Sequence, residues 1–418
     1  MNTTPNNKSL LAIIGPGILV AATGVGAGDL ATASFSGSHL GTAVLWAVLL
    51  GGLFKYFLTE GLARWQLVTG YTLLEGLAVH FGKAFALIFL PYLFLWSYFV
   101  GTALMSACGV TLHAIFPVFE EAATGKLVFG IAASLAGLVL VRLGGFALFE
   151  RMMGLCIGVM FTTVMVTAVL LWPGTAQILQ GIFVPTIPQA DGSGIAWTVA
   201  LIGGVGGTVT ILCYGYWIRE QGRTQPAHIK TCRLDLAAGY AMTILFGFGM
   251  VIIGSTVELE GRGAGLLVTL SDQLNSQLGP AGYWLFLLGA LSAVFSSLLG
   301  VWQAIPYLFT DVWRLSFQTT SGAKTPPSAS LTKSRPYRYY QLALAILPML
   351  GLLMSFKEIQ KLYAIIGASF IPLLAMVLLV MNGRHKWVGD YKNRPITVLM
   401  LAATLAFFGW IAWRQWSG

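Results

Sequence analysis

Long apolar stretches recur along the whole chain, and they constrain the fold more than any other feature. Each has roughly 20 residues, which lets a helix cross about 30 Å of hydrocarbon. Transmembrane strands would instead be segments of about ten residues with alternating polarity. Asp, Glu, Lys and Arg make up 9% of the chain, against about 25% in soluble domains, so lipid must surround most of it. We predict an all-α integral membrane protein with about eleven transmembrane helices, near residues 11–35, 43–66, 84–116, 127–142, 152–172, 196–218, 234–257, 281–308, 338–355, 360–382 and 396–415.

Basic residues are distributed unevenly between the two sides that these helices define. If the N-terminus is cytoplasmic, most Lys and Arg fall in cytoplasmic segments, and the outer segments contain only Lys126, Arg262, Lys357, Lys361 and Arg414. An excess of Lys and Arg on the cytoplasmic side sets orientation. We therefore expect a multi-pass protein of a bacterial-type inner membrane, with its N-terminus in the cytoplasm and its C-terminus outside. This placement explains the net charge of +9 without a nucleic-acid partner.

The segments between the apolar stretches contain no candidate soluble domain, so we expect a single transmembrane domain over 1–418. Asp29 interrupts the first stretch and no small-residue cleavage site ends it, which favours a retained helix over a signal peptide. Residues 316–338 are rich in Ser, Thr, Pro and basic residues and predict a mobile linker. Residues 173–194 are predicted to lie on the membrane surface.

Cysteine and histidine spacing predicts neither a disulfide framework nor a zinc site. Cys108, Cys156, Cys213 and Cys232 lack paired spacing, so we expect free thiols, three in apolar spans and Cys232 in a cytoplasmic loop. No His-Glu-x-x-His motif occurs, and no two histidines are four residues apart. We expect no enzymatic activity and no cofactor.

A glycine cluster lies near the middle of two predicted helices that are five spans apart. The first is residues 24–28 (Gly-Val-Gly-Ala-Gly) and the second is residues 203–207 (Gly-Gly-Val-Gly-Gly). Since five is odd, two five-helix halves would have opposite orientations, and paired Gly-interrupted helices in inverted halves indicate a transporter binding site. We predict inverted repeats over approximately 11–172 and 196–382, with an extra helix at 396–415. The alternative is that these glycines are close-packing surfaces between helices.

The order of several further motifs resembles the NRAMP (natural resistance-associated macrophage protein) family of divalent-metal transporters. The first helix opens with Gly-Pro-Gly, as in that family, and further matches follow in order at Ala63-Arg64, Val68-Thr69-Gly70, Leu201-Ile202-Gly203, Arg233, Asp235 and Ile371-Pro372-Leu373. The resemblance covers nearly the whole chain. It implies a LeuT-type fold of five plus five helices in inverted repeats, and alternating access around broken helices one and six.

The site positions depart from the pattern of that family. The resemblance places Gly26 where the family has its metal-binding Asp, and Asp29 where it has an Asn. It places Thr210 where the family has a Met whose sulfur favours Mn and Fe, and Leu212 where a His follows. Selecting transition metals over hard cations draws on sulfur or imidazole ligands. We therefore expect a transporter-like site whose substrate is no longer a transition metal.

Two charged residues, Asp29 and Lys55, lie deep in the predicted spans. A charge at the bilayer centre costs roughly 2.5–3.5 kcal/mol on the lenient scale, so each needs a partner or a water-filled cavity. Asp29 follows the first glycine cluster, where it would either bind substrate or cap the second half of the broken helix. Lys55 would either face the substrate or form a buried ion pair with Asp29 or Glu60.

We predict that the substrate site is formed by both glycine clusters and the polar side chains near them, namely Gly24, Gly26, Ala27, Gly28, Asp29, Lys55, Gly206, Gly207, Thr208, Thr210 and Tyr214. Relative to the family pattern, this site lacks one carboxylate and one thioether, and Lys55 lies at mid-depth. These differences make the local electrostatic potential more positive. The hydroxyl groups of Thr208, Thr210 and Tyr214 suit a small oxyanion. The leading hypothesis is a secondary transporter of a small inorganic anion such as bicarbonate.

Three other possibilities stay open. Asp29, with backbone carbonyls, could hold a hard divalent cation such as Mg²⁺, and the resemblance by itself implies Mn²⁺ or Fe²⁺. A channel is a more distant alternative. A coupling ion is also possible, although Ala103 and Ser106 stand where the resemblance implies the acidic residues of the family's proton route.

Overall fold

A computed structural model describes residues 15–26, 28–189, 192–256, 266–317 and 331–417, and these residues form helices and turns without any β-strand. The α-helices, numbered in chain order, are α1 (Pro16–Gly24), α2 (Ala33–Leu40), α3 (Leu45–Thr69), α4 (Leu73–Phe81), α5 (Ala84–Ile115), α6 (Ala122–Leu170), α7 (Thr175–Phe183), α8 (Ser193–Gly204), α9 (Tyr214–Glu220), α10 (Ile229–Ser255), α11 (Leu266–Phe317), α12 (Arg335–Ile346), α13 (Phe356–Ala368), α14 (Phe370–Met381), α15 (His385–Val388) and α16 (Pro395–Ser417). Short π or 3-10 turns join several of them, at Gly28–Thr32, Gly41–Val44, Val209–Cys213, Pro226–His228, Leu347–Leu353 and Gly389–Tyr391.

Within the described residues, eight helical stretches are long and apolar enough to cross a membrane. They are Asp29–Thr69, Ala84–Ile115, Ala122–Leu170, Ser193–Glu220, Pro226–Ser255, Val268–Phe317, Phe356–Met381 and Pro395–Trp413. The protein is therefore an all-α membrane protein, which confirms the predicted fold class. The orientation of its termini stays a prediction.

Two of the long helices contain an internal glycine break. Helix α6 has 49 residues and α11 has 52, and a straight helix of about 50 residues would be roughly 75 Å long, more than twice the hydrocarbon thickness. The break in α6 lies at Gly145, where φ is 61°, between the predicted spans 127–142 and 152–172. The break in α11 lies at Gly279, where φ is 71°, just before the predicted span 281–308. Both breaks agree with the predicted boundaries.

Some predicted boundaries are wrong. Helix α10 begins at Ile229, so Cys232 is a buried helical residue and not a loop residue. All four cysteines are free thiols, as predicted. The predicted span 338–355 is divided into α12 and a 3-10 turn that begins beside Pro348, a residue that lacks a backbone N–H group and interrupts a helix. Residues 11–14 of the first predicted span and 318–330 of the predicted linker lie outside the described residues.

Short helices connect the membrane-spanning ones, and α4 and α7 are two of them. Helix α4 begins at a capping box, in which the hydroxyl of Thr72 accepts from the N–H of Glu75 and the Glu75 carboxylate accepts from the N–H of Thr72. The Thr-x-x-Glu spacing is a sequence signal for such a start. Helix α7 lies within the segment 173–194, whose place on the membrane surface stays a prediction. Gly181 of α7 faces the carbonyl of Thr42, where a side chain would collide.

Buried ion pairs join helices near the ends that we predict to be cytoplasmic. Arg314 of α11 pairs with Glu75 of α4 at 2.7 Å and with Asp311 at 3.0 Å. Arg223 pairs with Asp235 of α10 at 2.9 Å. Breaking a buried pair leaves an uncompensated charge and is strongly destabilising. These contacts therefore hold the helix ends together on the predicted cytoplasmic side of the candidate site.

Candidate functional site

The first predicted helix is interrupted at its glycine cluster. Helix α1 ends at Gly24, Val25 has φ −80° and ψ 79°, and a π-helical turn follows from Gly28. Ala27 lies outside the described residues. Asp29 stands at the start of the second half and is 1% exposed. Its carboxylate accepts a hydrogen bond from the backbone N–H of Gly206 at 3.3 Å, so Asp29 reaches across to the sixth predicted helix and does not cap its own half-helix.

The sixth predicted helix is interrupted at the second cluster. Helix α8 ends at Gly204, and the chain resumes as a 3-10 turn at Val209. Gly206 and Gly207 have φ values of 77° and 81°. Residues with a Cβ are disfavoured in this left-handed region, whereas Gly enters it without steric cost. The two glycines are therefore required by the backbone path of the break.

The two breaks lie against each other. A Cβ added to Gly24 would lie 2.7 Å from the carbonyl carbon of Gly206, and one added to Gly207 would lie 3.3 Å from the Cα of Gly24. The glycines thus serve both predicted purposes, because they break the helices and also let the two backbones touch. Interrupted helices at membrane depth leave polar backbone groups that need partners.

Lys55 supplies partners for the carbonyls of the second break. Its side chain is fully buried, and its ammonium donates to the carbonyl of Gly203 at 2.7 Å and to that of Val205. These carbonyls are at the C-terminal end of α8, which carries partial negative charge. The predicted pair between Lys55 and Glu60 is absent, since Glu60 accepts instead from Arg64 and Arg233.

Two serines that the sequence analysis missed supply partners for the first break. The hydroxyl of Ser297 in α11 donates to the carbonyl of Thr23 at 2.6 Å, and that of Ser296 donates to the carbonyl of Ala22 at 3.4 Å. Ser297 also fills the space beside Gly26, where any added Cβ would collide with it. Gly26, which the resemblance aligns with the family's metal-binding Asp, therefore has no room for a side chain here. A pair of serines within an apolar span was the available sequence signal.

The predicted hydroxyl groups do not all lie together. Thr208 accepts a hydrogen bond from the indole of Trp96 at 2.9 Å, and Thr210 is buried beside Gly207. Tyr214 lies in a different cluster, where its hydroxyl donates to the Asp235 carboxylate at 2.9 Å. The structure therefore brings Thr208 and Thr210 to the break but assigns Tyr214 to the buried pair formed by Asp235.

Several buried polar atoms near the breaks have no hydrogen-bond partner in the described part of the chain. They include Oδ1 of Asp29, Oγ1 of Thr23, Oγ of Ser106 and Oε1 of Gln360. The amide of Gln360 donates to the carbonyl of Ala103 at 3.0 Å, so α13 brings a polar side chain to the place where the family's proton route was expected. Unpaired buried polar atoms are rare in folded proteins, and each calls for an explanation such as a functional role or a bound water or ion.

The described residues contain no group of three or more His, Cys, Asp or Glu side chains that could hold a metal ion. The described residues at the two breaks thus combine the carboxyl group of Asp29 with the amino group of Lys55, several hydroxyls and backbone carbonyls that already have donors.

Comparison with known proteins identifies the family. The family model described as natural resistance-associated macrophage protein-like matches residues 17–414. The chain belongs to this family. This confirms the resemblance that the motif order indicates, and it covers the α-helices from α1 to α16.

Several relatives of this chain are named as metal transporters. A divalent metal cation transporter MntH of Aeromonas hydrophila is 22% identical over 94% of this chain and 92% of its own length. The MntH of Chromohalobacter salexigens is 27% identical over 64% of this chain, and the match spans 62% of that relative's length.

Solved structures agree with this assignment at the level of the fold. The manganese transporter of Eremococcus coleocola has a TM-score of 0.72 at 17% identity, covering 97% of this chain and 86% of that one. MhsT in complex with L-phenylalanine has a TM-score of 0.60 at 15% identity, covering 93% and 95%. The fold is the LeuT-type fold, as predicted. The exact limits of the two inverted repeats stay a prediction.

Proposed function

We propose that this NRAMP-family protein is a secondary transporter of a small inorganic anion, with bicarbonate as the first candidate. The observation that carries the proposal is the position of Lys55, whose buried ammonium lies on the carbonyls of Gly203 and Val205. In broken-helix transporters, unwound carbonyls and half-helix C-termini coordinate cations. Here a cation that belongs to the protein already occupies that end of the helix.

A backbone carbonyl at the first break that a metal ion could use already has a hydrogen-bond donor. Ser297 donates to the Thr23 carbonyl of the first break and fills the space at Gly26. Near the breaks, Asp29 contributes a carboxyl group and Lys55 an amino group, and the amino group already lies on the carbonyls of Gly203 and Val205. A divalent cation entering this site would meet a nearby ammonium, whereas an anion would be attracted to it.

An anion would find hydrogen-bond donors as well as charge. An ammonium group has three N–H donors, and the two carbonyls account for two of those of Lys55. Thr208 and Thr210 place hydroxyl groups at the same break. Such donors suit a small oxyanion, which accepts several hydrogen bonds and tolerates hydroxyl partners.

A second candidate is a divalent cation, and it has its own support. The relatives carry the names divalent metal cation transporter and manganese transporter, which favours a cation more than an anion. Oδ1 of Asp29 also lacks a partner in the described part of the chain and is a suitable oxygen ligand. Without a thioether or imidazole, a hard ion such as Mg²⁺, which keeps most of its waters, suits this carboxylate better than Mn²⁺ or Fe²⁺.

Uptake into proteoliposomes separates the two candidates. Labelled bicarbonate, Mg²⁺ and Mn²⁺ are tested side by side, with bicarbonate at alkaline pH where little freely permeant CO₂ is present. We expect saturable bicarbonate uptake that shows counterflow, and little uptake of either metal. Uptake of Mg²⁺ or Mn²⁺ without bicarbonate uptake would refute the anion proposal and establish the second candidate. Flux that neither saturates nor shows counterflow would indicate a channel.

A matched pair of variants tests the role of Lys55. Lys126 is a second buried lysine, and its ammonium also donates to a backbone carbonyl, that of Met354 at 2.5 Å. We expect Lys55→Gln to abolish bicarbonate uptake and Lys126→Gln to retain it. Equal loss in both variants would mean that the effect comes from removing any buried lysine and not from the site.

A further inference from the structure

A basic cavity lies at the predicted cytoplasmic ends of α3 and α10, next to the segment that precedes α16. Its volume is about 420 Å³. One acidic residue, Asp390, and five basic residues line it: Arg64, Lys230, Arg233, Lys392 and Arg394. Arg64 is nine residues beyond Lys55 on α3, roughly 13 Å along the helix axis. The cavity is therefore separate from the substrate site.

The positive charge of this cavity is only partly balanced. Glu60 is shared by two guanidinium groups, at 3.2 Å from Arg64 and 2.8 Å from Arg233. The side chain of Asp390 is fully exposed and lies 3.5 Å from His385, so it points toward solvent. Lys230, Lys392 and Arg394 are exposed around the same cavity. An excess of several positive charges surrounds one concave volume.

Two helix N-termini add to this potential. Helix α10 begins at Ile229 and α16 begins at Pro395, and the N-terminal end of a helix carries partial positive charge. Acidic residues are favoured at such ends, yet Lys230 lies in the first turn of α10 and Arg394 directly precedes α16. Basic side chains at two positive helix ends are unfavourable for the protein alone and favourable when an anion binds between them.

We propose that this cavity binds a phosphate group, and that an anionic phospholipid headgroup supplies it. Arginine and lysine side chains at a helix N-terminus provide both the hydrogen-bond donors and the charge that a phosphate requires. Basic pockets between transmembrane helices at the cytoplasmic side are suited to lipid headgroups. Trp387, on the same connecting segment, stacks on His80 with ring centroids 4.0 Å apart, and Trp is enriched at the membrane interface. The inference does not depend on which ion is transported.

The test uses the purified full chain and a matched pair of double variants. Lys392→Gln with Arg394→Gln removes two exposed charges from the cavity. Arg151→Gln with Arg335→Gln removes two exposed charges that do not line it. Native mass spectrometry measures binding of phosphatidylglycerol and phosphatidylcholine, and the shift in melting temperature measures stabilisation by each lipid and by inorganic phosphate. Because all four side chains are exposed, we expect every variant to fold, which size-exclusion chromatography checks.

We expect phosphatidylglycerol to bind more tightly than phosphatidylcholine. Its affinity should fall at least about tenfold in the cavity variant and change by less than about twofold in the control, since each basic residue near the surface contributes to anionic-lipid binding. Inorganic phosphate could stabilise the unmodified protein but not the cavity variant, while neither lipid binds selectively. That result would support a phosphate site and identify its ligand as a soluble phosphate. Equal binding of both lipids with no phosphate effect, or equal loss in the two variants, would overturn the proposal.

Discussion

The ammonium of Lys55 lies 2.7 Å from the carbonyl oxygen of Gly203, and this contact joins the middle of α3 to the end of α8. Lys55 and the helix break each satisfy a hydrogen-bonding need of the other. A buried ammonium needs acceptors, and a helix that ends inside the membrane leaves acceptors without partners. Any movement of α8 relative to α3 during transport must either carry this contact along or break it.

Replacing Lys55 by Met should destabilise the protein. The change removes the donor for two buried carbonyls, and each buried acceptor left without a partner costs about 1–3 kcal/mol. We expect a lower melting temperature, measured on detergent-purified protein by intrinsic fluorescence. Lys126→Met is the matched control and should cost less, because in the described part of the chain Lys126 donates to one backbone carbonyl, that of Met354. A melting temperature equal to that of the unmodified protein would show that Lys55 does not hold the break.

Placing the family's carboxylate at Gly26 should be tolerated only if Ser297 is removed. A Cβ at Gly26 would collide with both Oγ and Cβ of Ser297, and overpacking a buried site typically costs about 1–3 kcal/mol. We expect Gly26→Asp to lower the melting temperature and Gly26→Asp with Ser297→Gly to recover part of the loss. The four proteins form a double-mutant cycle. Additive effects of the two substitutions would contradict the close contact.

The glycine clusters made both helix breaks predictable. Positive φ at Gly206 and Gly207, and the backbone contact between Gly24 and Gly206, are conditions that Gly alone meets at low cost. They therefore leave a signal in the sequence. Helix α4 carries a comparable sequence signal in the capping box at Thr72.

The partners of the buried polar groups were not predictable in the same way. The spans are apolar on nearly all sides, so the sequence does not show which face of α11 turns toward the first break. For that reason the sequence reveals neither that Ser297 donates to the first break nor that Tyr214 donates to Asp235. Lys55 was correctly expected to need a partner, but its acceptors are backbone carbonyls, which no side-chain pattern reveals.

Alanine at Gly207 should destabilise the second break. Its φ of 81° lies in the left-handed region, where a residue with a Cβ pays roughly 1–2 kcal/mol, and the new Cβ would also crowd Thr210. Gly158→Ala is the control, since Gly158 lies inside α6 and an added Cβ there meets nothing within 4 Å. Alanine should stabilise that helix by up to about 1 kcal/mol. Gly207→Ala should therefore lower the melting temperature and Gly158→Ala should raise it. If both variants shifted it by the same amount in the same direction, the left-handed backbone assigned to Gly207 would be refuted.

Removing the Asp235 carboxylate should be among the most destabilising single changes at the predicted cytoplasmic end. Asp235 is buried and accepts from the guanidinium of Arg223 at 2.9 Å, the hydroxyl of Tyr214 at 2.9 Å and the backbone N–H of Gly17 at 2.9 Å. Truncating one partner of a buried pair leaves the other charge uncompensated, at a cost of roughly 3–5 kcal/mol. We expect Asp235→Ala to lower the melting temperature markedly. The double variant Asp235→Ala with Arg223→Ala should lower it by less than the sum of the two single variants.

Asp390→Ala is the control, because it removes a fully exposed carboxylate and should leave the melting temperature unchanged. If Asp235→Ala behaved like this control, the Asp235 cluster would not be the contact that holds α1 against α10.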